Sequence, residues 1–206
     1  LSKINWSSRN LKARELAAEK SVVHPIEPDW LLLNVIDALP SDAIIVNESL
    51  TSSRALPDLF PFRDRYGFHG NASGGIGWGL PAALGVQLAH PNRPVLCLSG
   101  DGSAMYSIQA LWTAAHLNLP ITFVITNNRS YRILKQRLLG FHKNDAYIGM
   151  DFDEPKIDFA GVARSLGVKA ETITEPDAIR PALEASIVRR GPTLLDVIVD
   201  GTVRAM

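Results

Sequence analysis

The 206-residue sequence predicts an α/β fold: a three-layer domain whose mostly parallel sheet is covered by helices on both faces. Three observations predict it. Short apolar runs such as Ala43-Ile44-Ile45-Val46 and Ile121–Thr126 show no polar alternation, so both faces of each strand are buried. These runs alternate with stretches of helical periodicity, the pattern that builds parallel sheets. Each of three runs ends in a polar cluster: Asn47-Glu48-Ser49, Gly100-Asp101-Gly102 or Asn127-Asn128. In parallel sheets ligands bind beyond the carboxyl ends of the strands, so these clusters should face one crevice.

The elements follow in order. Leu11, Ala13, Leu16 and Ala17 give Asn10–Lys20 a helical spacing, but the opening Leu1–Lys20 is polar and shows no core of its own. Residues 1–25 therefore read as a linker or the tail of a preceding domain, and 26–206 as the folded domain. Pro28, favoured in a first helical turn, starts a helix reaching about Leu39. Pro40-Ser41-Asp42 turns the chain into the strand Ala43–Val46. A glycine-rich loop leads to a helix near Leu80–His90, then the strand Val95–Ser99 and a helix near Ser107–Leu117. The strand Ile121–Thr126 is followed by a basic helix, Tyr131–Leu139. The tail repeats the alternation: helix Phe159–Leu166, strand Val168–Glu171, helix Ala178–Arg189, strand Thr193–Val199.

Lys+Arg and Asp+Glu both number 21, so the net charge is zero, which argues against nucleic acid or an anionic membrane as partner. No apolar run reaches membrane-spanning length. The single Cys97 excludes an internal disulfide, and its apolar run makes it a small buried hydrophobe. Together these predict a cytoplasmic protein. The five histidines are scattered without metal-ligand spacing.

Asp101 offers an anionic oxygen and Asn128 a neutral amide oxygen, hard donors that suit Mg²⁺ or Ca²⁺ rather than zinc or copper. Mg²⁺ takes one or two carboxylates and completes its shell with water and phosphate oxygens, so this donor set points to a metal-bridged diphosphate. Gly102 and Ser103 open the next helix, whose free N–H groups favour phosphate. Taken singly, Gly-Asp-Gly and Asn-Asn are ordinary turns; together, on adjacent strand ends, they point to a site. A rival reading rests on Gly77-Trp78-Gly79-Leu80-Pro81-Ala82, a degenerate dinucleotide fingerprint with Asp101 downstream. Against it, Tyr66–Gly70 is short and polar, so no strand is expected before the glycines. Gly77, Gly79 and Gly85 are instead expected to let the helix pack tightly on the sheet. A non-catalytic assembly module is a third possibility.

Gly-Asp-Gly followed by Asn-Asn, within "GDGSAMYSIQALWTAAHLNLPITFVITNN", resembles the signature of thiamine-diphosphate-dependent enzymes. "NES" and "ASGGIGWGLPAALGVQLA" are similar to the benzoylformate decarboxylases and acetolactate-synthase-like proteins of that family. The resemblance implies the C-terminal, diphosphate-binding domain of a thiamine-diphosphate- and Mg²⁺-dependent 2-oxo acid decarboxylase or carboligase, homodimeric or homotetrameric when intact. By position it implies that Asp101, Asn128 and the Ser130 carbonyl bind the metal. Gly100, Gly102, Ser103 and Thr51 would meet the diphosphate, with Tyr131 beside them. Gly74, Gly75 and Ile76 would hold the aminopyrimidine end, Ile76 propping the cofactor in its bent shape. Arg132, Ile133 and Gln136 would lie on the substrate side, while Lys135 and Arg137 are expected on a solvated face. The activating glutamate of this family resides in a pyrimidine-binding domain that nothing here resembles. No catalytic residue is therefore assigned, Glu48 included, and this stretch alone is expected not to turn over.

Overall fold

In a computed structural model, which describes residues 5–204, the chain forms nine helices, two 3₁₀ turns and six strands among those residues. The first half runs α1 (Trp6–Ala18), α2 (Pro28–Ala38), β1 (Ile44–Glu48), a 3₁₀ turn (Thr51–Ser53), α3 (Leu56–Leu59), β2 (Phe68–Gly70), α4 (Gly79–Ala89) and β3 (Val95–Gly100). Then come α5 (Asp101–Ala104), α6 (Ala110–His116), β4 (Ile121–Asn127), α7 (Arg132–His142), α8 (Phe159–Ser165), β5 (Lys169–Ile173), a second 3₁₀ turn (Pro176–Ala178), α9 (Ile179–Ile187) and β6 (Thr193–Ile198). The first four residues of the predicted tail lie outside the described part.

All pairings are parallel, in the order β2-β1-β3-β4-β6-β5. Successive strand residues point to opposite faces, and both faces are apolar, which explains the unbroken runs. On one face Ile45, Leu96, Leu98, Val124 and Leu195 pack beneath α2, α3 and α9. On the other, Val46, Cys97, Phe123, Ile125 and Leu194 meet Leu80 and Ala83 of α4, Leu111 of α6 and Phe159 of α8. Burying one such large side chain stabilises the fold by about 1.5–3 kcal/mol. Cys97 is a buried hydrophobe as expected, and burial pushes its thiol well above the ordinary range.

Local rules place the helix ends. Pro28 opens α2 with Asp29 in its first turn. The Asp158 side chain accepts from the Gly161 N–H at 2.7 Å and caps α8. In α1, Ala17 is buried against the helical layer, and Asn10 Nδ2 donates to the carbonyls of Asp58 and Leu59.

Two expectations need correction. A strand does precede the glycine loop: β2 pairs with β1, Ile45 opposite Phe68 and Asn47 opposite Gly70. Three residues at a sheet edge, two of them His and Gly, carry no apolar run to betray it. The helix expected over Ser107–Leu117 starts only at Ala110. Tight bonds from Tyr106 N to Ser103 O and from Ala110 N to Ser107 O carry the chain round from α5, a single turn, into α6.

β6 carries one charged residue in its interior. Asp196 is 3% exposed, and burial raises its pKa to about 6, against hydrogen bonds from Asn127 and Thr172 that lower it. A raised carboxyl pKa means the folded state holds the proton more tightly than the unfolded one. The stabilisation is complete below the ordinary value of 3.8 and is lost as pH rises through about 6. Relative to Asp196→Asn, the parent should lose on the order of 2 kcal/mol between pH 4 and pH 7. Urea unfolding of both proteins at the two pH values measures this, and a difference of opposite sign would exclude it.

Candidate functional site

The sheet order changes direction between β1 and β3: β2 lies to one side of β1, and the later strands to the other. The crevice at that point opens beyond the carboxyl ends of β1, β3 and β4. One cleft there is lined by Ser49, Leu50, Thr51 and Ser52 after β1, and by Gly100, Asp101, Gly102, Ser103 and Tyr106 after β3. Thr126, Asn128, Ser130, Tyr131, Arg132 and Ile133 line it after β4, and Ile76 closes its edge.

Asp101 sits 2% exposed at the start of α5. Its Oδ1 accepts from the Gly102 N–H at 2.8 Å and its Oδ2 from the Ser130 N–H at 3.3 Å. Burial pushes its pKa up to about 6 in spite of these backbone donors. No lysine or arginine among the described residues forms an ion pair with it; the Arg132 guanidinium lines the same cleft and acts on it only at longer range. Asn128 Oδ1 accepts from the Ser130 hydroxyl at 3.0 Å. One carboxylate, one amide oxygen and nearby carbonyls form a hard, incomplete donor set. Among the described residues no cluster of three or more His, Cys, Asp or Glu could hold a metal. The donors thus fit a cation such as Mg²⁺ that shares its shell with a ligand's oxygens, and do not fit zinc.

The loop carrying Asn128–Tyr131 is held from several sides. Tyr131 N–H donates to the Met150 carbonyl at 3.0 Å, and Phe152 N–H to the Arg129 carbonyl at 2.8 Å. Arg129 adopts a left-handed conformation, φ 57°. Its N–H donates to Asn127 Oδ1 at 3.1 Å, while Asn127 Nδ2 donates to Asp196 Oδ1 at 2.9 Å. Asn127 therefore faces Asp196 and not the crevice, correcting the expectation that both asparagines meet there. The period of two along β4 turns these neighbours to opposite sides. The Tyr131 ring packs edge-on against Phe152 and lies so close over Gly102 that a Cβ there would sit 2.9 Å from it.

The sequence alone gives Glu48 no role, yet it is 2% exposed and organises the glycine loop. Its carboxylate accepts from the N–H groups of Gly77 (2.5 Å), Trp78 (3.2 Å) and Gly79 (2.7 Å) at the amino end of α4. The signal was a lone acid at the end of an apolar strand, which must find donors when buried. Gly77 meets two demands that exclude a side chain: φ is 92°, and a Cβ would lie 2.5 Å from that of Tyr106. Gly79 is likewise crowded by Glu48, but Gly85 faces open space, so it does not serve close packing.

This arrangement removes the dinucleotide reading. The glycines do follow a strand, but the N–H groups that would receive a pyrophosphate are taken by a carboxylate that would also repel it.

The remaining expected residues divide. Thr51, Ile76, Gly100, Asp101, Gly102, Ser103, Asn128, Ser130, Tyr131, Arg132 and Ile133 share the cleft. Gly75 and Ile76 line an adjoining shallow depression, and Gly74 stands beside it at φ 74°. Gln136 is buried and does not line this cleft, its Oε1 accepting from Arg54 at 2.9 Å. Lys135 is not on a solvated face: it is 7% exposed, paired with Asp151 and 5.2 Å from the Tyr147 ring centroid. Arg137 is exposed as expected.

A parallel α/β sheet with a hard-oxygen cleft at its topological switch point defines a cofactor-anchoring domain. The profile "Thiamine pyrophosphate enzyme, C-terminal TPP binding domain" matches residues 51–197, and the chain belongs to that family. Benzoylformate decarboxylase of Pseudomonas aeruginosa is 38% identical over 174 residues, covering 84% of this chain and 32% of that protein. Acetolactate synthase large subunit of Pyropia yezoensis is 40% identical over 123 residues, covering 60% of this chain and 21% of that one. The solved structure of a thiamine diphosphate-dependent 4-hydroxybenzoylformate decarboxylase from Rhodococcus jostii RHA1 superposes with a TM-score of 0.83 at 35% identity. The match covers 89% of this chain and 34% of that one. The chain thus spans about a third of the length of such relatives. No helix among the described residues is long and apolar enough to cross a membrane.

Removing the Glu48 carboxylate leaves three backbone donors, one buried and two part-buried, without their partner. Glu48→Ala should cost about 3 kcal/mol or more. Glu48→Gln, whose amide nitrogen must face one of those donors, should lose a large part of the same amount. Denaturant unfolding checks both, and a Glu48→Ala loss under about 1 kcal/mol would contradict the assignment.

Proposed function

We propose that this chain anchors thiamine diphosphate through Mg²⁺ in a 2-oxo acid decarboxylase of the benzoylformate decarboxylase type. The observation that carries the reading is the buried Asp101 carboxylate, without an ion-pair partner among the described residues, set beside Asn128 and Ser130 at the strand ends. Asp101 Oδ, Asn128 Oδ1 and the Ser130 carbonyl would hold the metal. The backbone of Gly102 with Ser103 and Thr51 would hold the diphosphate. Gly74, Gly75 and Ile76, half exposed at the edge of the cleft, would meet the other end of the cofactor. Thiamine diphosphate, when bound, supplies the electron sink that cleavage beside a 2-oxo acid's carbonyl requires. The chain's own residues bind and orient it, and Leu50, Ile76 and Tyr106 bring apolar surface to the rim.

Residues 26–206 would be the diphosphate-binding domain, with 1–25 the end of a preceding segment. Chemistry would need a pyrimidine-binding part, supplied in a homodimer or homotetramer acting on a small 2-oxo acid. The span of about a third of its relatives' length supports that division. A carboligase is the second reading, favoured by the likeness to acetolactate synthase large subunits.

Calorimetry with thiamine diphosphate and Mg²⁺ tests the assignment. Binding of the pair by the parent, weakened more than about tenfold in Asp101→Ala, is the expected result. Undiminished binding by that variant would overturn the metal site. A metal ligand must be deprotonated, so affinity for the Mg²⁺ pair should fall as pH is lowered through about 6, the value to which burial raises Asp101. A pH-independent affinity between 5 and 8 would contradict this.

A further inference from the structure

Arg132 was expected to face substrate, but its guanidinium is already engaged. It is 6% exposed, the only cationic residue among the described residues lining the cleft. Nε donates to Thr51 Oγ1 at 3.0 Å, Nη2 to Ser52 Oγ at 2.7 Å, and Nη1 to the Asp200 carbonyl at 2.5 Å. The other charged side chains nearby are committed elsewhere: Arg54 to Gln136, Lys135 to Asp151. Asp200, Asp101 and Glu27 are the acids facing the guanidinium, with Arg54 the opposing cation, and it stays charged.

A hydroxyl has one proton to give. Thr51 and Ser52 each accept from the guanidinium, so the O–H of each remains to donate. Among the described residues neither hydroxyl donates to a protein acceptor, although both line the cleft beside Asp101, Gly102 and Ser103. A hydroxyl accepting from a cation is polarised and becomes a stronger donor. Two such donors side by side, with a full positive charge behind them, form a receptor for an oxyanion.

We infer that Arg132 is a positioning residue that sets the Thr51 and Ser52 hydroxyls as a pair of donors to phosphoryl oxygens. The inference rests on the proposed diphosphate site and adds to it a charged strut behind those hydroxyls. The same chemistry would suit a substrate carboxylate, but the donors share their cleft with Gly102 and Ser103, which favours the diphosphate.

The test uses inorganic pyrophosphate with Mg²⁺, measured by calorimetry alongside thiamine diphosphate. The proteins are the parent chain, Arg132→Met, Arg132→Lys, the double variant Thr51→Val/Ser52→Ala, and the combination of Arg132→Met with that double variant. Arg132→Met should weaken both ligands by about tenfold, the double variant similarly, and the combination little further, because one strut acts through one pair of hydroxyls. Arg132→Lys, keeping the charge without the fork, should recover part of the loss. It also decides the matter, together with the double variant, if Arg132→Met does not fold. Pyrophosphate affinity unchanged within about twofold in both Arg132 variants, or losses that multiply in the combination, would overturn the inference while leaving the cofactor assignment intact. An Arg132 effect confined to the KM for a 2-oxo acid in the active assembly would reassign the residue to the substrate carboxylate. A parent chain that binds neither ligand removes the cofactor assignment and this one with it.

Discussion

Everything at the cleft depends on the register of three parallel strands. β1 and β3 pair with Glu48 opposite Ser99, and β3 and β4 with Gly100 opposite Thr126. Ser49, Asp101 and Asn128 therefore leave the sheet in a stagger of one residue per strand, on neighbouring strands about 4.8 Å apart. A slip of one residue in any pairing would turn the interior side chains to the wrong face and carry Asp101 away from Ser130. The two apolar layers oppose such a slip, because it would exchange Leu96 and Leu98 on one side with Cys97 on the other.

Above that frame, side chains rather than backbone regularity hold the loops. Glu48 gathers three N–H groups of the glycine loop, and Asn127 bridges Asp196 to the backbone of Arg129. Arg132 joins the turn after β1 to the segment after β6. Each polar group is almost entirely buried, which strengthens its bonds and makes any partial loss costly. Asp101 differs. Backbone donors surround it and no cation among the described residues forms an ion pair with it, so its carboxylate is left without a direct charged partner.

The sequence announced the sheet because a strand buried on both sides has nothing polar to show, and it announced Asp101 and Asn128 because such residues interrupt that silence. It was mute where a partner comes from far away. Lys135 reads as part of a basic surface until Asp151 returns along an irregular segment to pair with it. Arg132 reads as a free cation until Ser52, Thr51 and Asp200 converge from two other strand ends. β2 is too short to have a pattern at all. Asn127 was the exception: strict alternation along β4 sends it away from its neighbour, and that inference was available from the residues alone.

Cys97 has a practical consequence. It is the only thiol in the chain, and it lies in the sheet interior with its ionisation suppressed. The protein is therefore chemically quiet toward maleimides and spin labels under mild conditions. A cysteine placed at Leu50, half exposed on the rim, would give a single addressable probe without any need to remove the native one. Distances and accessibility at the mouth of the cleft could then be followed against a blank background.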